Sequence, residues 1–236
     1  MPDYQAIEKK LVEALGGERR PVAITFTETP PQGVEKFAGA EPAACGFWRI
    51  AGGGRSFHAS AADHLNCPIG AYTHNALPAE RMPELEQALT LMSGLGYIRM
   101  EEVPGVFHMP NAAKTVVYTP LGETPVAPDA VLAAGRPGRV MLLAEAAARA
   151  GAMSGLPLLG RPTCMAIPAA IAGGAVTSSG CIGNRVYTGI GDDELYVVLR
   201  GSDLEKIAAE LDTILSANRT LEQYHADRKQ TLTVIA

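Results

Sequence analysis

The chain has 236 residues, of which 47% are hydrophobic and 19% are charged, so it can bury a sizeable core and is not a disordered segment. Its formal net charge of −5 argues against a nucleic-acid-binding protein, because phosphate binding needs a clustered excess of lysine and arginine. The charged, amphipathic N-terminus is unlike a signal peptide, and the long uncharged run 162–184 contains too many glycines and prolines for a membrane helix. These features predict a cytoplasmic protein that does not enter the membrane.

Helical and strand-like patterns alternate along the chain. In chain order, the predicted elements are a helix over 4–15, a strand over 22–27, a helix over 82–92, strands over 115–119 and 130–134, a helix after residue 136, a strand over 195–199, a helix from 204 to 215 and a strand over 232–235. A Ser-x-x-Glu capping pattern, Ser202 with Glu205, marks the start of the last helix. This alternation predicts an α/β (or α+β) fold, in which helices flank a mixed sheet.

The domain organisation has two open interpretations. No linker or charge block divides the chain, so residues 1–236 are predicted to form a single domain. A short internal echo, in which CPIGAYT at 67–73 resembles CIGNRVYTG at 181–189, allows two related halves, about 20–120 and 121–218. Each half then contributes a pair of thiols to a shared site.

Four cysteines are the strongest chemical signal: Cys45, Cys67, Cys164 and Cys181. Each lies in a turn-like context, and glycine or proline loops bring thiolates inward as cluster and metal ligation require. Four thiolates fit a tetrahedral zinc site or a four-cysteine iron–sulfur cluster, although no C-x-x-C spacing is present. The alternative is that the cysteines simply pack as small hydrophobic residues. Cytoplasmic thiols stay reduced, so disulfides are not expected.

Two further groups of residues suggest other chemistry. His64 lies three residues before Cys67 and is a candidate ligand, orienting group or proton relay. Arg136 and Arg139 lie beside the predicted start of a helix, where free N–H groups can hold an anion. That stretch matches neither of the common nucleotide-binding glycine motifs, so an ordinary strand-to-helix turn is the alternative.

Several segments together resemble an uncharacterised family, domain of unknown function family 169 (DUF169), which occurs widely in archaea and anaerobic bacteria. The resemblance runs from about residue 21 to 211 and is carried by PVAITFTE, CGFWRIA, HLNCPIGAY and GCIGNR followed by GDDELYV. The four cysteines fall where the family pattern carries cysteine. The resemblance supplies no activity, but it implies that the cysteines act together, and the abundance of anaerobes favours iron–sulfur over zinc.

The leading hypothesis is therefore a cysteine-ligated iron–sulfur protein with a role in electron transfer or sulfur chemistry in anaerobic metabolism. In it, Cys45, Cys67, Cys164 and Cys181 are ligands, His64 is a supporting or substitute ligand, and Trp48 and Tyr72 shield the site from water. A redox protein or a small molecule would be its partner, and a homo-oligomer is compatible with the sequence. Two alternatives stay open: a metal-free protein binding a small molecule or anion, and a thiol enzyme with Cys67 as nucleophile and His64 as base.

Overall fold

The computed structural model describes residues 2–17, 19–153 and 158–233, without the side chains of 232 and 233. Seven described strands form one mixed sheet in the order β2-β3-β1-β4-β7-β6-β5. The strands are β1 Val22–Thr27, β2 Phe57–Ser60, β3 Thr115–Pro120, β4 Ala130–Gly135, β5 Leu158–Leu159, β6 Val176–Ser178 and β7 Leu195–Arg200. The helices are α1 Tyr4–Leu15, α2 Ala44–Gly52, α3 Pro68–Thr73, α4 Met82–Gly94, α5 Pro137–Arg149, α6 Ala166–Gly173, α7 Ile182–Thr188 and α8 Leu204–Thr233. The predicted fold class, a mixed sheet with flanking helices, is confirmed.

Two helical layers cover the sheet because its central strands are buried on both faces. Along β4, Val131 packs toward α1, α5 and α8, whereas Leu132 packs toward α2 and α6, as the two-residue period of a strand requires. The first layer contains the fully buried Leu11, Leu143 and Leu211. The second layer is richer in aromatic residues than the first and, with α3 and α7 beside it, forms the side of the molecule that carries the cysteines.

The centre of the sheet is formed by β1 and β4, which are the first strands of the two predicted halves. β1 and β4 are antiparallel neighbours, β3 lies outside β1, and β7 lies outside β4. β2 and β6 come next on their respective sides. The division of the chain into two related halves, and equally its description as a single domain, stay predictions.

Most of the long predicted elements are present with the expected bounds. α1 begins after Asp3, whose Oδ1 accepts a hydrogen bond from the Ala6 N–H at 2.9 Å, and ends at Gly16 in the left-handed conformation. α8 begins at Leu204 and extends through Thr233, so the predicted strand at 232–235 is wrong for its first two residues, and its last two lie outside the described residues. Among the described helices, none is long and apolar enough to cross a membrane.

Candidate functional site

All four cysteines line one pocket of about 280 Å³ on the α2/α6 side of the sheet. Cys45 is the second residue of α2, and Cys67 is the N-cap of α3. Cys164 lies in the 3₁₀ turn Thr163–Met165 that precedes α6, and Cys181 occupies the N-cap position of α7. Four separate helix starts therefore bring the thiols to the walls of a shared cavity.

The pocket holds the thiols of Cys45, Cys67 and Cys164 in the neutral form. Burial raises the pKa of Cys45 to about 12 and also raises the pKa of Cys67 and Cys164. Interaction with neighbouring thiols raises each of these three pKa values further, because a second negative charge beside the first is unfavourable. The Gly70 N–H donates to Cys67 Sγ at 3.4 Å and lowers its pKa, but burial is the larger effect.

The predicted function as an iron–sulfur or other metal-binding protein is wrong. Within residues 2–17, 19–153 and 158–233, no group of three or more histidine, cysteine, aspartate or glutamate side chains is placed to hold a metal ion. The four described cysteines are free. The physical reason is that sharing a cavity does not by itself place three ligands around one point, and a buried thiol without a cation beside it stays protonated.

His64 lies in the core behind the pocket and is fully buried. Its Nδ1 is 2.8 Å from the Ser60 carbonyl oxygen, which can only accept, so Nδ1 carries the proton and Nε2 accepts from the Tyr118 hydroxyl at 2.9 Å. Burial lowers the pKa of His64. Because both ring nitrogens are hydrogen-bonded to other groups, the geometry does not support His64 as the base for a nucleophilic Cys67.

The two aromatic candidates take different positions. Tyr72 lines the pocket, and its ring packs on His108 with centroids 5.4 Å apart. Trp48 is 3% exposed and lies in the core with its ring against Tyr196, not among the residues that line the pocket. Its role as a shield of the site therefore stays a prediction.

Asn184 is the most unusual polar group in the pocket. The side chain lines the cavity and is 2% exposed, yet neither its Nδ2 nor its Oδ1 has a hydrogen-bond partner of normal geometry among the described residues. Its weaker hydrogen-bonding contacts with the Cys45 thiol and the Tyr196 hydroxyl lie outside normal geometry and lower the pKa of both groups, although burial raises both overall. A buried amide without partners costs about 1–3 kcal/mol for each unpaired group, so this side chain is poised to pair with a bound molecule.

A separate cap segment, residues 82–106, forms the apolar side of the pocket. It comprises α4, the following turn and the 3₁₀ helix Met100–Gly105, and Leu85 is its buried anchor. The cap residues lining the cavity are Leu85, Leu89, Met92, Tyr97, Ile98, Arg99, Glu102, Val103 and Val106. Apart from Arg99 and Glu102 this lining is apolar or aromatic, which is typical of a small-molecule site.

The predicted anion site beside α5 lies outside the thiol-lined pocket. Arg136 is exposed and pairs with Asp193, with Nε and Oδ2 3.4 Å apart, and neither it nor Arg139 lines the pocket. The helix start predicted there is present, since α5 begins at Pro137. The strand-to-helix turn therefore needs no ligand to explain its sequence.

Taken together, the structure is that of an α/β protein with a thiol-lined, largely apolar pocket. Comparison with family models identifies the family: the model of DUF169, described as uncharacterised ArCR, matches residues 10–210. The chain belongs to this family. The same comparisons find no matching curated protein and no matching solved structure.

Proposed function

We propose that this protein binds a compact, largely apolar small molecule in the thiol-lined pocket. The observation that carries the proposal is Asn184, whose buried amide lines a preformed, largely apolar cavity and has no hydrogen bond of normal geometry among the described residues. A hydroxyl, carbonyl or amide group on the ligand would satisfy that amide and recover the cost of burying it. The free thiols fit a reducing compartment, so a cytoplasmic location is part of the proposal.

The neutral thiols determine the chemistry of the ligand next to them. A protonated thiol is a small, polarizable and weakly hydrogen-bonding group, which packs well against carbon and poorly solvates charge. The apolar lining that the cap provides is therefore continued by the neutral thiols of Cys45, Cys67 and Cys164. The ligand in this proposal has a hydrocarbon body, with a hydrogen-bonding group at the end that faces Asn184.

Filling the cavity tests the proposal directly. Gly183 lines the pocket within α7, and a Cβ there would meet only Tyr187, at 3.5 Å, so Gly183→Leu can place its side chain in the cavity without a backbone clash. Gly138 in α5 has open space around its Cβ position and lies outside the pocket, which makes Gly138→Leu the matched control. The probe is 1-octanol, and calorimetry measures its binding.

We expect 1-octanol to bind the wild-type protein and Gly138→Leu, and not Gly183→Leu. Asn184→Leu removes the hydrogen-bonding partner, so it should weaken 1-octanol binding roughly fivefold to tenfold, in line with about 1 kcal/mol for a neutral hydrogen bond. Equal binding to the wild type and to Gly183→Leu would show that the alcohol binds elsewhere and would contradict the proposal.

A further inference from the structure

Three charged side chains stand at the solvent-exposed end of the pocket. Arg99 and Glu102 belong to the cap, and Arg161 comes from the opposite wall, three residues before Cys164. Glu102 Oε2 lies 3.2 Å from Arg161 Nη2, and Glu102 Oε1 lies 3.0 Å from Arg99 Nε. One carboxylate thus bridges two guanidinium groups across the opening.

Arg161 is held in position by a second contact. Its guanidinium carbon is 4.9 Å from the centroid of the Tyr97 ring, a cation–π geometry that fixes the plane of the group. Tyr97 in turn accepts a hydrogen bond from the Ile182 N–H at 3.4 Å, which links the cap to α7. The guanidinium is therefore oriented before any ligand arrives, and preorganisation lowers the cost of binding.

The charges at this end do not balance. Two arginines share one glutamate, and within the described part of the chain no other carboxylate forms an ion pair with Arg99 or Arg161. Hydrogen bonding to Arg99 and the charge of Arg161 lower the pKa of Glu102, so the carboxylate is ionised and the cluster carries a net charge of about +1 at neutral pH. An excess of one positive charge beside an apolar cavity favours a single negative charge on whatever enters it.

We infer that the pocket's ligand carries one carboxylate in addition to the group that pairs with Asn184, and that Arg161 binds this carboxylate in place of Glu102. This inference rests on the proposed function, since it concerns the same pocket. A carboxylate matches the planar fork of a guanidinium and neutralises the excess charge. A phosphate dianion would overcompensate that charge. When the ligand carboxylate replaces Glu102, the Glu102–Arg161 ion pair that joins the cap to the opposite wall is broken. Ligand entry is therefore coupled to opening of the cap.

The test compares two molecules that share the hydroxyl end and differ at the other end. 8-Hydroxyoctanoate and 1-octanol are titrated by calorimetry at low ionic strength, because Arg99 and Arg161 are exposed and salt screens them. We expect the carboxylate to bind roughly tenfold more tightly than the alcohol. Arg161→Gln should remove most of that advantage, so it should weaken 8-hydroxyoctanoate binding far more than 1-octanol binding, which reports any change in the cap itself.

The second variant, Glu102→Gln, is expected to increase the affinity for 8-hydroxyoctanoate relative to 1-octanol, whereas Arg161→Gln should decrease it. Glu102→Gln removes the internal competitor, so it should raise the ratio of 8-hydroxyoctanoate affinity to 1-octanol affinity several-fold. Matched controls are Arg149→Gln and Glu84→Gln, which break the exposed pairs Arg149–Glu210 and Arg81–Glu84 outside the pocket. Neither control should change the ratio of the two affinities.

The outcomes separate this inference from the proposed function. If 1-octanol binds, and Gly183→Leu blocks it, but the carboxylate adds no affinity in the wild type, the inference is overturned and the proposed function stands. If neither molecule binds, the proposed function fails. If octyl phosphate binds more tightly than octanoate, the assignment of a carboxylate is wrong.

Discussion

Acidification should destabilise this protein through two buried neutral histidines. His74 is 2% exposed, and its Nδ1 lies 2.8 Å from the Gly70 carbonyl oxygen, which fixes the proton on Nδ1. Its Nε2 has no hydrogen-bond partner among the described residues. Burial, reinforced by His64, lowers the pKa of His74 to about 3, and burial lowers the pKa of His64 as well. The ring centroids of the two histidines are 5.6 Å apart, so charging one opposes charging the other.

The magnitude follows from proton linkage. In the unfolded chain a histidine has a pKa of about 6.5, so below that pH the unfolded state binds a proton that the folded state excludes. The stability contributed by neutral His74 is therefore complete above pH 6.5 and falls by about 1.4 kcal/mol per pH unit as the pH drops toward 3. Between about pH 7.5 and pH 5 the expected loss from His74 is about 2 kcal/mol, and His64 adds to it in the same direction.

Urea denaturation at several pH values from about 7.5 to 5 measures this loss, in a range where most carboxylates are ionised in both states. His74→Phe keeps a ring in the core and removes the titrating group, so its stability should depend less on pH by about 2 kcal/mol over that range. His225→Gln, on the exposed part of α8, is the control and should keep the wild-type dependence. A His74→Phe protein with the same pH dependence as the wild type would refute the reasoning.

Three further predictions concern packing, capping and thiol reactivity. Gly201→Ala should destabilise the fold by several kcal/mol, because a Cβ there would lie 1.6 Å from the Pro128 carbonyl oxygen. Thermal unfolding measures this loss, and Gly138→Ala, which has open space around its Cβ position, is the control and should be near neutral. Asp3→Ala should lower the free energy of unfolding by about 1 kcal/mol, since the Asp3 carboxylate caps α1; a change below the error of a urea titration would contradict the cap assignment. Cys45 should react with iodoacetamide on the order of 100-fold more slowly in the folded than in the unfolded protein, because its raised pKa leaves little thiolate; equal rates by mass spectrometry would contradict the buried, neutral thiol.

The long elements were predictable because their sequence patterns are local. α1 has an apolar stripe, a capping carboxylate and a terminal glycine, and each of these signals acts within a few residues. The strand Val22–Thr27 is a run of β-branched and aromatic residues that neighbours on both sides bury. In these segments the tertiary structure and the local preference agree, so the sequence alone indicates the element.

The short elements around the site were not predictable in the same way. α2 is only nine residues long, has no side-chain N-cap and begins with the five consecutive buried residues 44–48, so no local signal marks where it starts. α6 is apolar throughout and contains Pro168. β6 has three residues, too few for a recognisable alternation. Such segments are stabilised by packing against the sheet, which no window of sequence contains.

The site itself shows the same division. The cysteines stand out in the sequence because of their residue type, and in the structure all four line the same pocket. Asn184, Arg161 and Glu102 went unnoticed, because an asparagine or an ion pair gains significance only from its burial or from a partner far along the chain. The metal assignment failed because residue type alone does not specify whether thiols that share a location are also placed to hold a metal ion.

The balance of forces at Cys67 explains why the pocket suits binding better than nucleophilic attack. Its position before Pro68 places Sγ where the Gly70 N–H can donate to it, and that hydrogen bond lowers the thiol pKa. A reactive cysteine would need this effect to prevail or a cation to assist it. Here burial prevails, the neighbouring Cys181 opposes ionisation further, and His64 is committed to Ser60 and Tyr118. The same helix start that could have activated a thiol therefore presents a neutral, polarizable surface to the cavity, and the charge that can attract a ligand comes from Arg99 and Arg161 instead.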